Sequence, residues 1–325
     1  GNGNVQINYG TVPDPNAINR TAADDEVIMN GNRDVGDIIS QFNSPLSMAW
    51  GIAHDGQNLW ITDPTGLPTT ISEVDPATGA LTGNTIPCAF GGSWFGDMAS
   101  DGTYLYGVNV GGDNNIYKIE ISSGSVEAII SGAFNVTSQR GLGYDAANDE
   151  YYIGGWNSNN IWRCDGSGAT ISQQAFNSVS GLEWHPQGGP DQEGSLWVIE
   201  NSPADLVTEL DPNNGWVTLQ SFTLPGSAGY GGSGAALGPD GTLWAPCQSN
   251  NVVYNIDLGE PLSGGATGWL TLGFYEGTVP PNGGLKNIPT NFDATGTSAG
   301  EVYHADIVFT SMPDVGTITI PCTMT

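Results

Sequence analysis

The sequence predicts an all-β protein whose main body is a five-bladed β-propeller over residues 34–261, closed by an outer strand taken from its N-terminal side. Three recurring features predict it. The first is a turn followed by a strand that carries an aromatic: Asp55-Gly56-Gln57-Asn58-Leu59-Trp60 and Asp101-Gly102-Thr103-Tyr104-Leu105-Tyr106 lead to Trp60 and Tyr106, and Tyr152, Trp197 and Trp244 follow at steps of 46, 46, 45 and 47 residues. The second is an alternating strand ending in an acid, at Asp75, Glu120, Asp165, Asp211 and Asp257. The third is a glycine opening a small-residue strand upstream of each aromatic: Gly51, Gly96, Gly141, Gly181 and Gly234.

Taken in order, the chain starts with an arm, residues 1–33, that holds two strand-like pieces, Val5–Tyr9 and Glu26–Met29. Asp37-Ile38-Ile39-Ser40-Gln41-Phe42 precedes the first complete blade as Leu81 to Ile86 precedes the second. Each repeat then reads as strand, turn, strand, loop, strand, turn, strand, with Asp75-Pro76-Ala77-Thr78-Gly79 and Asp211-Pro212-Asn213-Asn214-Gly215 as ordinary turn chemistry. The fifth repeat runs into Glu260-Pro261 with its outer strand missing, so Asp37–Phe42 is expected to supply it and close the ring. From Gly268 the pattern changes to Trp269–Leu272, Gly277–Pro280, Phe292–Thr295, Ala305–Ser311 and Gly316–Pro321, which defines a separate C-terminal segment, residues 262–325.

The propeller repeats resemble those of secreted bacterial propellers of the virginiamycin-lyase-like and NHL-like groups, over about 225 residues. That resemblance implies a fold and leaves activity open, because the repeated residues carry blade packing. The C-terminal segment resembles the later part of BACON-type immunoglobulin-like modules, which implies a β-sandwich serving as spacer or binding platform. The first strands of such a module have no room between Asp257 and Trp269. Residues 1–33 have about the length required, so the arm is expected to complete the module, either in its own chain or in a neighbouring copy. Completion in a neighbour would give an open head-to-tail assembly.

Six Lys and Arg against 34 Asp and Glu give a formal charge of −28, with only 12% of residues charged. Such a surface disfavours nucleic acid and anionic membranes, and no apolar run reaches the roughly 18 residues of a membrane helix. The abundance of Gly, Asn and Thr, the scarcity of Lys, and the sequons at Asn19 and Asn135 point to a secreted protein, extracellular or on a bacterial cell surface, whose leader has been removed. Cys88, Cys164, Cys247 and Cys322 lack the short spacing of a zinc or redox site and fall on separate blades and the C-terminal segment, so they read as buried free thiols.

The mouth of the ring collects the starts of the inner strands and the second-to-third-strand loops. Its candidate ligand-binding residues are Trp50, Trp94, Phe95, Asp97, Arg140, Trp156 and Tyr230. Aromatic faces beside one of only four arginines suit a neutral sugar or a small carboxylate; the competing reading packs the aromatics between blades and pairs Arg140 with Asp97. His54 and His185 fall on the opposite face, well apart, and His304 on the C-terminal segment, so no catalytic histidine and no metal centre is assigned. No cofactor is expected; the oxygen-rich loops Gly111–Asn115 and Asp145–Glu150 leave calcium open, although solvated turns account for them. The favoured function is a non-enzymatic surface or extracellular interaction protein, a fibre subunit joined to other copies through residues 1–33 and the C-terminal module. A carbohydrate- or small-ligand-binding propeller is the first alternative, and a lyase or hydrolase working through Asp97, Glu183 or Arg140 the second.

Overall fold

A computed structural model describes residues 2–8, 34–66, 69–88, 94–190, 193–259, 270–272, 285–292, 303–309 and 318–324. The chain divides into two units: Arg33–Pro261, and a second formed by Gly1–Asn32 with Leu262–Thr325.

The larger unit is a ring of five four-stranded antiparallel sheets. From inner to outer strand, blade 1 is Ile52–His54, Leu59–Asp63, Thr70–Val74 and Leu81–Pro87; blade 2 is Trp94–Ser100, Tyr104–Val110, Ile116–Glu120 and Val126–Ile130. Blade 3 is Gly141–Asp145, Glu150–Gly155, Asn160–Asp165 and Thr170–Ala175; blade 4 is Val179–His185, Ser195–Glu200, Leu206–Asp211 and Val217–Thr223. Blade 5 has Ala236–Leu237, Leu243–Cys247 and Val252–Ile256, and takes its outer strand, Ile38–Asn43, from the other end of the unit. Ile38 pairs with Ile256 and Asn43 with Val252, the closure expected from the missing strand.

The repeated aromatics are explained by the register. Trp60, Tyr106, Tyr152, Trp197 and Trp244 stand opposite Glu73, Lys118, Arg163, Glu209 and Asn255 of the third strand. On the inner side they face Ala53, Ala99, Gly143, Glu183 and Ala236. Four of these inner partners are small, which leaves room for the ring of the aromatic; Glu183 is the exception. The turn aspartates serve the same aromatics: Asp55 accepts from Gln57 N, Asn58 N and Trp60 Nε1 (2.7 Å), and Asp101 from Thr103 N, Tyr104 N and Tyr106 Oη (2.8 Å). Five buried apolar clusters fill the spaces between successive blades, including the space between blades 5 and 1. Burial of both faces leaves the second strand of each blade almost continuously buried.

The five marker glycines close the axis. A Cβ on Gly51 would lie 1.9 Å from Gly96 O, on Gly96 3.0 Å from Arg140 O, and on Gly141 3.0 Å from Gly181 C. On Gly181 it would lie 2.4 Å from Ser233 O, and on Gly234 2.9 Å from Gly51 Cα, which completes the circuit. Each glycine therefore exists so that one inner strand can touch the next.

Every outer strand is irregular at the same level. Register shifts fall opposite Ser72/Val74, Lys118/Ile119, Arg163/Cys164, Glu209/Leu210 and Asn255/Ile256 of the five third strands. The outermost backbone of each blade is bent out of a regular ladder there.

In the smaller unit, Asn2–Asn8 forms one edge of a three-stranded sheet, with Leu285–Phe292 central and Leu270–Leu272 on the other side. Asn2 pairs with Asn291 and Asn8 with Leu285, within one chain. Tyr303–Phe309 and Ile318–Met324 form a separate antiparallel pair. The strand expected at Glu26–Met29, the sequon at Asn19 and the Gly277–Pro280 segment lie outside the described residues.

Candidate functional site

Asp97 sits inside the ring, on its axis. Blade 2 carries one residue more than its neighbours after the marker glycine, and the register between its first two strands shifts between Phe95 and Met98. This bulge aims the fully buried Asp97 carboxylate at the starts of other inner strands. Its Oδ1 accepts from Ile52 N (3.3 Å) and Ala235 N (3.2 Å), and Oδ2 from Leu182 N (3.0 Å) and Ala235 N (3.3 Å). The backbone adds Asp97 N to Arg140 O at 2.8 Å and Gly234 N to Trp50 O at 2.8 Å. One side chain and one amide thus join all five blades. Burial pushes the Asp97 carboxyl well above the ordinary carboxylate range, and donation from Leu182, Ile52, Met98 and Ala235 works against that rise. Glu183 is raised as well, by burial first and then by the charge of Asp97, with amide donation from Leu237 and Trp184 opposing.

At the mouth, a cation lies among indoles. Arg140 directly precedes the inner strand of blade 3 and is fixed by Arg140 N to Gly154 O (2.7 Å) and by its carbonyl to Asp97. Its guanidinium carbon is 5.3 Å from the ring centroid of Trp50 and 5.7 Å from that of Trp156. Trp50 is 5.4 Å, centroid to centroid, from Trp94, in a tilted arrangement. Trp156 is anchored by Nε1 to Asn201 O at 2.9 Å, and Asn201 Nδ2 reaches the carbonyl of Tyr230 at 3.1 Å. Trp94 and Trp156 remain 39% and 40% exposed, while Trp50 is 8% exposed. Two donors in the cluster, Arg140 Nε and Trp50 Nε1, are buried without an acceptor. Burial lowers the pKa of the Arg140 guanidinium.

The structure therefore brings Trp50, Trp94, Arg140 and Trp156 together and sets Tyr230 beside them through Asn201, with its own side chain exposed. Phe95 and Asp97 are placed elsewhere. Phe95 packs between blades 1 and 2 with Trp60 and Leu105, because the bulge turns it inward. Asp97 bonds backbone amides, so the Arg140–Asp97 side-chain pair considered from sequence does not form. The amide-rich loops are largely spent internally: Gln248 Nε2 donates to Gly232 O and Asn157 Nδ2 to Ser138 Oγ.

His54 and His185 act as turn caps. His54 Nδ1 accepts from Gly56 N (2.9 Å) and His185 Nδ1 from Gln187 N (3.3 Å), positions that Ser100 and Asp145 fill in blades 2 and 3. Burial lowers the pKa of His54, keeping the acceptor neutral, against the charges of Asp55 and Asp240. The oxygen-rich loops are similarly occupied: Asp113 accepts from Asn109, Asn115 and Tyr117, and Asp145 from Ala147 N and Asn148 Nδ2. Among the described residues no group of three or more His, Cys, Asp or Glu gathers as a metal site. Cys88, Cys164 and Cys247 are buried free thiols, and burial pushes Cys88 up to about 12 and Cys164 up to about 11. At the Asn135 sequon, Nδ2 donates to Asn115 Oδ1 at 3.0 Å.

Ring, register and axis define the class: an all-β five-bladed propeller. Among solved structures it is similar to a chain of a crystal structure of the mitotic checkpoint complex, at TM-score 0.41 and 16% identity, over 64% of this chain and 63% of that one. It is also similar to a chain of a nidogen/laminin complex, at TM-score 0.46 and 16% identity, over 66% of this chain and 78% of that one. The aligned region thus spans less than two thirds of the first of these chains. No protein-family model and no curated protein matches the sequence.

Proposed function

We propose that this chain is a non-enzymatic extracellular or cell-surface protein that assembles with copies of itself into a fibre by exchanging its N-terminal strand. In this reading the propeller is a rigid body and the smaller unit an immunoglobulin-like connector. The observation that carries it is the place of Asn2–Asn8: it lies at the edge of its sheet, and the whole propeller separates it in sequence from its partner Leu285–Phe292. An edge strand so far in sequence from its partner can leave one sheet and enter the same sheet of another copy with identical pairing. A small ligand at the propeller mouth is compatible with this role. For the lyase or hydrolase alternative, Asp97 and Glu183 lose support as reacting groups, because Asp97 is enclosed and engaged by amides and Glu183 lies in the core, which leaves Arg140 at the mouth.

Gln6 faces Asn287 in the paired register, so a Gln6→Cys, Asn287→Cys double variant reports which copy donates the strand. Exchange yields a ladder of covalent multimers on a non-reducing gel and filaments by electron microscopy that vanish when residues 1–30 are deleted. A single monomeric band across a wide concentration range would refute it.

A further inference from the structure

We infer that the Trp50–Arg140–Trp156 cluster is a binding site for the carboxylate of an acidic sugar. Three observations lead there. Buried donors are normally matched, and leaving one unmatched is destabilising. Here two unmatched donors, Arg140 Nε and Trp50 Nε1, belong to side chains in direct contact. An oxyanion is the group that supplies acceptors to both, and a guanidinium favours a carboxylate.

Of the two described propeller arginines, Arg163 pairs with Glu150, whereas Arg140 has no carboxylate partner among the described residues. In a chain with 34 acidic residues against six basic ones, an unpaired arginine held between indoles is not for want of counter-ions. The aromatic faces then select the body of the ligand. Trp94 and Trp156 expose ring surface beside the cation, and flat indole faces suit the C–H face of a sugar ring. The formal charge of −28 opposes a densely charged polyanion, so the fitting ligand is a single uronate residue, such as one ending an otherwise neutral glycan.

The site lies wholly in the propeller, so it is independent of strand exchange. Its test uses the full chain at low salt and four probes: methyl β-glucuronide, its neutral counterpart methyl β-glucoside, acetate, and a tripeptide with a free C-terminal carboxylate. Titration calorimetry is paired with the indole N–H resonances. The glucuronide is expected to bind at least tenfold more tightly than the other three and to shift the Trp50 indole signal. Arg140→Gln abolishes the preference over the glucoside. Trp50→Phe keeps an aromatic ring but removes the indole donor, and weakens the glucuronide three- to tenfold more than the glucoside; it decides the matter if Arg140→Gln fails to fold. Equal binding of glucuronide and glucoside, no binding of either, or a peptide or acetate matching the glucuronide each overturns the inference.

Discussion

Replacing Gly51 with alanine tests the closed axis most directly. The added Cβ would stand 1.9 Å from Gly96 O and 2.6 Å from its carbonyl carbon. An ordinary carbon–oxygen approach is about 3.3 Å, so the inner strands of blades 1 and 2 must separate by roughly 1.4 Å. Both atoms met are backbone, so no rotamer change relieves the clash. The shift costs about 3 kcal/mol as overpacking. It also pulls Ile52 N from Asp97 and leaves a buried donor unmatched, which costs about 1–3 kcal/mol. A total near 5 kcal/mol lowers Tm by about 10–20 °C for a domain of this size. Calorimetry of Gly51→Ala, Gly181→Ala and Gly143→Ala should rank them in that order, since the corresponding nearest backbone atoms lie at 1.9, 2.4 and 3.1 Å. A Gly51→Ala protein melting within about 2 °C of the parent, or a reversed ranking, would refute the contact circuit.

Asp97→Asn preserves shape but turns one acceptor into a donor facing Ile52 N or Leu182 N, and should lower stability by about 2–4 kcal/mol in a denaturant titration; an unchanged midpoint would remove Asp97 from its joining role. Glu183 and Asp97 are acids raised by burial, so their contribution to stability is full below the unfolded-state values and is lost as pH rises above the ordinary carboxylate range. Glu183→Gln should therefore stabilise the fold at pH 7–8, with the gain vanishing near pH 4; a pH-independent effect would contradict this.

The repeat was legible because blade packing demands it at every turn of the ring. Four of the five aromatics face a small inner partner, two are held by a turn aspartate, and the five marker glycines need a neighbour at contact distance, so these constraints recur at the blade period. The missing outer strand could be counted for the same reason. Asp97 was not legible as an axial group, because its position depends on one inserted residue in one blade. Gly96-Asp97-Met98-Ala99 set against Gly51-Ile52-Ala53 contains that signal, and aligning the repeats residue by residue would have found it. Phe95 was assigned to the mouth for the same reason. Trp50, Arg140 and Trp156 could be gathered from topology alone, but their unmatched donors depend on side-chain geometry that spacing does not encode.

The shifted registers of the five outer strands bear on how such molecules crowd together. A straight strand at the rim of each blade would be a template on which a second ring could dock side by side, and five of them would invite sheets to stack into mats. With every rim ladder interrupted at the same height, lateral growth has no regular backbone to copy. Crowding of such rings is then tolerated without their sheets joining edge to edge.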